Sequence, residues 1–271
     1  MPELPEVETI RSGLAPHLSG QRITRVQMRR NNLRYPLPNL MQLEGQMIYG
    51  VERRAKYLLF QLNSDATLVW HLGMTGQFHV LPQQSAAGFH EHVQIDLQHG
   101  LSLRYRDARR FGYAGLLATE RMPQHPWFAN LGPEPLSSQF DAEYLAAQCQ
   151  GRCVAIKSRI MDASVVVGVG NIYAAESLFR AGIHPARAAG RIAHARLALL
   201  VDAIQSVLRE AIAAGGSTIS DFVHSDGTPG YFAHQFQVYG REGQPCYRCG
   251  HAIKKITQAG RSTHYCPRCQ H

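Results

Sequence analysis

The 271 residues exceed one typical domain of about 150, and a content of 45% hydrophobic and 18% charged residues is that of an ordinary globular protein. No run of about 18 apolar residues occurs, which excludes a membrane-spanning helix, and the hydrophobic content excludes a wholly disordered chain. Lysine and arginine number 28 against 20 acidic residues, a net charge of +8 that suits a polyanionic partner without requiring one. Of these cations 24 are Arg and four are Lys (Lys56, Lys157, Lys254 and Lys255). A guanidinium stays protonated, so amine nucleophiles are limited to those four and a terminal amine. The acidic start M-P-E-L-P-E-V-E lacks the basic-then-apolar order of a secretory signal, and a cytoplasmic protein is expected.

Leu4, Val7, Ile10 and Leu14 recur at helical spacing and predict a helix over the first 20 or so residues, with Gly13, Pro16 and Gly20 punctuating its end. From about 21 to 118 the pattern is that of strands. Val93, Ile95 and Leu97 alternate, His99-Gly100 turns, and Leu101, Leu103 and Tyr105 alternate again, which predicts a hairpin. Strands are also expected over 56–62 and 67–72, and a mobile polar loop over 81–90. After the connector L-G-P-E-P-L-S (131–137) the chain turns helical. Helices are predicted over 142–149, capped by Asp141, from Asn171 to about Gly182, and over 193–214; the glycines of V-V-V-G-V-G-N (165–171) imply tight turns. A Gly/Ser/Thr/Asp-rich loop follows at 217–231 and a cysteine-bearing tail at 237–271.

Cys246, Cys249, Cys266 and Cys269 form C-x2-C-x16-C-x2-C, the spacing with which two thiolate knuckles close a tetrahedral zinc site; two disulfides or free thiols are the alternative. Four thiolates leave no open position, so such a Zn2+ is structural. Cys149 and Cys153 fall outside this pattern and read as structural. The tail carries six cations and one anion, which suits either a solvated basic face or a finger lying along phosphates. R-Y-R-D-A-R-R-F (104–111) places Phe111 after Arg109 and Arg110. This suits a binder that neutralises phosphate and wedges a ring between bases, although a strand-end Phe also suits a core. At the amino end, a small second residue favours removal of Met1. That would leave Pro2 with a terminal amine, whose reference pKa of about 7.7–8.0 makes it a better nucleophile at neutral pH than any lysine. Glu3 beside it is suited to proton exchange. Equally, Pro2 and Glu3 suit a plain helix start.

The segments P-E-L-P-E-V-E-T, R-R-A-K-Y-L-L, H-L-G-M-T-G, D-A-R-R-F-G, L-G-P-E-P-L, V-G-V-G-N-I-Y-A-A-E-S-L-F and S-D-G-T-P-G-Y-F, with the four-cysteine motif, occur in that order. Together they resemble the bacterial formamidopyrimidine-DNA glycosylases, of the superfamily that includes endonuclease VIII, from residue 2 to 269. The resemblance implies an α+β fold: an N-terminal helix on an antiparallel β-sandwich (1–131), a helix-two-turn-helix domain with a lesion-capping loop at 217–231 (132–236), and a zinc-finger hairpin (237–271). It implies a monomeric base-excision-repair enzyme acting on double-stranded DNA, which removes oxidised purines such as 8-oxoguanine and formamidopyrimidines and then cleaves the strand by β,δ-elimination. By resemblance Pro2 is the nucleophile, Glu3 the general acid/base, Lys56 a proton donor in elimination, and Arg261 a phosphate ligand linked to δ-elimination. Met74, Arg109 and Phe111 match residues that fill the gap left by an extruded base, and Asn171 a phosphate contact. His71, His90 and Arg152 match or lie near further DNA contacts. The family's usual D-P-R-R-F reads Asp107-Ala108-Arg109-Arg110-Phe111 here. Two rivals stand beside this: an endonuclease VIII-type enzyme for oxidised pyrimidines, disfavoured by P-E-L-P-E in place of P-E-G-P-E, and a zinc-containing DNA-binding protein without catalysis.

Overall fold

The computed structural model describes residues 1–216 and 236–271; the loop expected at 217–231 lies outside the described residues. Two compact units are present, one built on Met1–Ala129 and joined by Gly216, the other on Asn130–Ala213 with the C-terminal tail. Among the described residues no helix is long and apolar enough to cross a membrane.

The first unit opens with α1 (Leu4–Leu18), which buries Leu4, Val7, Ile10, Leu14 and Leu18. The helix runs through Gly13 and Pro16 rather than stopping there, because Leu14 and Leu18 are fully buried, and it ends where Gly20 adopts φ +77°. Eight antiparallel strands follow: β1 (Gln21–Met28), β2 (Met47–Arg54), β3 (Tyr57–Leu62), β4 (Ala66–His71), β5 (Gly76–Pro82), β6 (Glu91–Leu97), β7 (Leu101–Asp107) and β8 (Tyr113–Ala118). Their order is β5-β7-β6-β1-β2-β3-β4-β8. β1 belongs to both halves of this ladder: Gln21 and Arg22 pair with β2, and after an irregularity between Ile23 and Arg25 the strand pairs with β6. The ladder thereby folds into two layers of a sandwich. Rings meet between the layers, with Trp70 of β4 5.2 Å from Phe78 of β5 and 4.6 Å from Tyr105 of β7. The expected 93–97/101–105 hairpin is β6–β7, turning at Gly100 with φ +87°.

The stretch 81–90, expected as a mobile loop, is instead tied down. Leu81 and Pro82 complete β5, and the fully buried Arg104 donates to the carbonyls of Pro82, Gln83 and Ser85 at 3.0–3.5 Å. The same guanidinium meets the buried Glu91 carboxylate at 3.2 Å. Arg104 therefore leaves the basic cluster that the sequence offers to a polyanion and serves the interior.

In the second unit α2 (Ala142–Cys149) is capped by the Asp141 carboxylate, which accepts the Tyr144 N–H at 2.8 Å. α3 (Ile156–Ile160), α4 (Asn171–Arg180) and α5 (His194–Ala213) follow, with α2 and α4 both packed on α5. The V-V-V-G-V-G turn is apolar: Val165, Val166, Val167 and Val169 are buried, and a β-carbon on Gly132 would lie 2.7 Å from the Val165 carbonyl. Cys149 is buried as a structural residue should be, but Cys153 is exposed on the turn between α2 and α3, and the structural reading fails for it. The tail forms the hairpin β9 (Lys254–Gln258) and β10 (Arg261–Tyr265). It shares a core with α4, in which Ala175 and Phe179 meet Val238, Ile253, Cys246 and Cys266.

Arg104→Met leaves the Pro82, Gln83 and Ser85 carbonyls without their donor, while Glu91 keeps Arg29 at 3.1 Å and Arg106 at 3.8 Å. Urea unfolding is expected to show a loss of about 1–3 kcal/mol, and limited proteolysis new cleavage within 83–90; unchanged stability contradicts the structural role.

Candidate functional site

At the amino end Pro2 and Glu3 are buried, and Glu3 is the N-cap of α1. Glu6, 1% exposed, accepts the Glu3 backbone N–H at 2.8 Å, a capping-box contact that fixes the Pro2–Glu3 peptide plane. Gly216 rests against Glu6: a β-carbon there would lie 3.4 Å from Glu6 Cα, Cγ and Oε1. Lys56 sits on the two-residue turn between β2 and β3, where Ala55 takes φ +54°, a conformation costly for a residue with a β-carbon. What holds that turn is Arg53, which donates to the Ala55 carbonyl at 2.9 Å and to Glu8 of α1 at 2.9 Å. One arginine thus ties the helix that starts at the candidate nucleophile to the turn that carries Lys56.

His71 ends β4 and is wedged among rings, stacked on Tyr113 with centroids 4.8 Å apart and edge-on to Tyr57 at 5.1 Å. Its Nδ1 accepts the Gly73 N–H at 3.0 Å, leaving Nε2 to carry the proton of the neutral ring. Burial, with the charges of Lys56 and Arg34 adding to it, lowers its pKa to about 4, so the ring is neutral at physiological pH.

Met74, Arg109 and Phe111 come together on two turns of the first unit. Gly73 has φ +67°, and a β-carbon on it would overlap the Phe111 carbonyl carbon and the Gly112 nitrogen, so backbone lies on backbone here. Met74 and Phe111 are 38% and 39% exposed, which rules out the core reading of Phe111, and the Arg109 guanidinium lies 4.8 Å from the Phe111 ring. Beneath them Asp107 is fully buried. Its Oδ1 accepts from Thr75 Oγ1 at 2.5 Å, and its Oδ2 from the Gly112 N–H at 2.8 Å and the Tyr105 hydroxyl at 3.2 Å. His90, exposed at φ +58°, joins the same loop through its carbonyl, which accepts the Asp107 N–H at 3.0 Å.

The second unit holds the remaining candidates. Asn171 opens α4; its Nδ2 donates to the Ser262 carbonyl at 2.9 Å and its Oδ1 accepts from Lys157 Nζ at 2.5 Å. Lys157 is 2% exposed and also donates to Thr263 Oγ1 at 2.7 Å. Arg261, exposed at the start of β10, lines a cavity of about 210 Å³ with Lys157, Ser158 and Met161. Arg152 stands apart, exposed on the turn after α2. The sequence offers Lys157 only as one of four lysine amines and gives Asp107, Thr75 and Glu6 no role. Only Glu6 carried a signal, the E-x-x-E spacing of a capping box.

Of the six cations in the tail, two serve packing. Arg241 is buried over the Tyr247 ring at 3.4 Å, and Arg248 lies over Phe179 at 4.4 Å. Lys255 pairs with Glu242, while Lys254, Arg261 and Arg268 face solvent. The sulfurs of Cys246, Cys249, Cys266 and Cys269 lie within 4.8 Å of one another, with Cys246–Cys269 at 4.0 Å and Cys249–Cys266 at 3.5 Å. A zinc–thiolate tetrahedron with bonds of about 2.3 Å needs edges of about 3.8 Å, so the four fit one structural Zn2+. The thiols do not shift alike: the His251 backbone N–H, chiefly, draws Cys249 down to about 7, whereas burial raises Cys266 and pushes Cys269 up to about 12.

A protein from Thiobacillus denitrificans called formamidopyrimidine-DNA glycosylase is 54% identical over 272 residues, covering all of both chains. This chain belongs to the formamidopyrimidine-DNA glycosylase family. Three family models match in order: the formamidopyrimidine-DNA glycosylase N-terminal domain over 1–114, its H2TH domain over 131–223, and a zinc finger found in these glycosylases and in IleRS over 243–271. Two solved structures of the Lactococcus lactis glycosylase, one with DNA containing N7-benzyl-Fapy-dG and one with DNA containing an abasic site, each superpose with a TM-score of 0.92 at 35% identity, over 99% of both chains. The α+β fold expected from the resemblance is that of these glycosylases, and the four-cysteine cluster is the family's zinc finger.

Two outcomes follow from this geometry. Because the unfolded imidazole takes a proton near pH 6.5 and folded His71 only near 4, stability falls as pH drops between those values, by on the order of 3 kcal/mol. His71→Asn is expected to flatten that slope in denaturant titrations from pH 7 to pH 4. Stripping the metal, or Cys246→Ser, is expected to release one zinc per chain, read by a chromogenic chelator. Amide protection should then be lost in β9 and β10 but kept in β3 and β4.

Proposed function

We propose that this chain is a bifunctional glycosylase and abasic-site lyase that removes oxidised purines, 8-oxoguanine and formamidopyrimidines, from double-stranded DNA. One observation carries the reading: in a chain matched end to end by a formamidopyrimidine-DNA glycosylase, Met74 and Phe111 stand exposed on two interlocked turns together with Arg109. A base inside a duplex is out of reach of any nucleophile, so it must leave the stack and the gap must be filled. Met74 and Phe111 supply apolar bulk for that gap, and Arg109 supplies donors to the O2 and N3 acceptors of the orphaned cytosine.

Once Met1 is removed, the Pro2 nitrogen attacks the sugar C1′. The new C–N bond forms as the glycosidic bond breaks, and Glu3 exchanges the proton that the sugar or departing base requires. The sugar ring then opens: the C1′–O4′ bond breaks as nitrogen forms its second bond to C1′, and Glu3 supplies the proton that O4′ takes. The resulting iminium acidifies the C2′ proton, so loss of the 3′ phosphate and then of the 5′ phosphate cleaves the strand. Lys56 serves as proton donor during elimination. Arg261 fits phosphate binding better than proton transfer, because a guanidinium hardly deprotonates. Asn171, at the N-terminus of α4, suits a phosphate, as do exposed Arg152 and His90; neutral His71 suits a hydrogen-bonded contact rather than a charged one. The loop at 217–231 is assigned to cover the extruded base. The domains are taken as 1–131, 132–236 and 237–271, and the protein as a cytoplasmic monomer that associates with the nucleoid when bound to DNA.

Borohydride reduction on an 8-oxoguanine duplex is expected to trap a covalent complex whose cross-linked peptide begins at Pro2; a cross-link elsewhere, or an intact Met1 in active enzyme, overturns the assignment. Glu3→Gln is expected to slow base release by about 10²–10⁴-fold with duplex affinity retained in band-shift titrations. Product analysis on thymine glycol duplexes separates this reading from an oxidised-pyrimidine preference.

A further inference from the structure

The two turns that carry Met74, Arg109 and Phe111 lie on different connections, β4 to β5 and β7 to β8, each joining strands that do not pair with one another, yet a single side chain spans them. Thr75 Oγ1 donates to Asp107 Oδ1 at 2.5 Å and accepts the Arg109 backbone N–H at 3.1 Å. Asp107 in turn is fixed from three further sides: Tyr105 and Gly112 donate to its carboxylate, and its carbonyl is 2.8 Å from His92 Nε2. Thr75 is only half-buried, so core packing does not explain a hydroxyl placed at this junction.

We propose that Thr75 is a positioning residue that couples the Met74 turn to the Arg109–Phe111 loop, so that the side chains filling the gap and the side chain reading the opposite base move as one body. The inference rests on the reading of Met74, Arg109 and Phe111 given above. Its physical basis is preorganisation. Arg109 discriminates between bases only if its guanidinium is held within a few tenths of an ångström of the bonding position, and an exposed loop without the Thr75 bridge samples a wider range. The bridge works through the hydroxyl alone. Serine at 75 preserves both hydrogen bonds, whereas valine keeps the shape, leaves Asp107 Oδ1 without this donor and turns the Arg109 N–H out to water.

The test compares Thr75→Val and Thr75→Ser, with Thr75→Ala as a second deletion of the hydroxyl, in single-turnover excision of 8-oxoguanine opposite cytosine and opposite adenine. The adjacent-base response is followed by 2-aminopurine fluorescence. Thr75→Val and Thr75→Ala are expected to lose about three- to tenfold of the preference between opposite bases, the worth of one or two lost hydrogen bonds, and to slow the fluorescence change; Thr75→Ser retains both. Full preference in Thr75→Val and Thr75→Ala, or a loss in Thr75→Ser as large as in valine, overturns the coupling. Arg109→Ala separates the two levels of the reading. If it too keeps full preference, the assignment of Arg109 as the base reader fails; if it loses preference while the two hydroxyl deletions do not, only the coupling fails.

Discussion

A carboxylate taken out of water costs several kcal/mol unless donors replace its hydration, and this constraint shapes the loops that carry the candidate functional residues. Glu6 takes the Glu3 N–H and fixes the start of the chain. Glu91 takes Arg104 and the Gly88 backbone N–H and closes the stretch before His90. Asp107 gathers Thr75, Tyr105 and Gly112 beneath the exposed wedge, and Glu176 accepts three consecutive backbone N–H groups, of Gln237, Val238 and Tyr239, where the chain enters the finger. Burial raises the pKa of Glu176 and the three N–H donors work against that rise. In each case the acid consumes backbone donors that a buried turn would otherwise leave unpaired.

Arginine divides its labour in the same way. The excess positive charge reads, from composition, as a footprint for a polyanion, yet Arg104 and Arg241 are buried and Arg248 lies against Phe179. Arg104 and Arg241 donate to loop carbonyls from buried positions and so take no part in a phosphate contact, while Arg248, itself exposed, donates to the Phe179 carbonyl of α4. Arg109, Arg152 and Arg261 remain exposed. Counting cations overstates the binding surface because five planar donors suit a guanidinium to interior carbonyls as well as to phosphate.

The helices were readable because their apolar periodicity and caps are local: Asp141, Asn171 and Leu4 each mark a start that the structure keeps. The β6–β7 hairpin was readable from alternation. By contrast β1, β2, β5 and β8 were not individually resolved, since their burial patterns are broken by half-exposed residues and by the irregularity in β1. At the site, residues carried by contiguous motifs were found, while Lys157 and Thr75 were not. Their significance lies in partners 106 and 32 residues away, Thr263 and Asp107, and no local pattern encodes a pairing of that span.

The shared strand β1 also bears on how the chain reaches this state. The β2–β3, β3–β4 and β6–β7 pairs join neighbours in sequence, whereas β1 must bring Val26 to Ile95 before the second layer has a partner. Loop-closure entropy opposes such distant pairings more than it opposes the local hairpins, and the β1–β6 seam carries that cost along with β4–β8. Nascent chains that have emerged only through β5 therefore expose an unpaired edge on β1, and synthesis through Leu97 is needed to cover it.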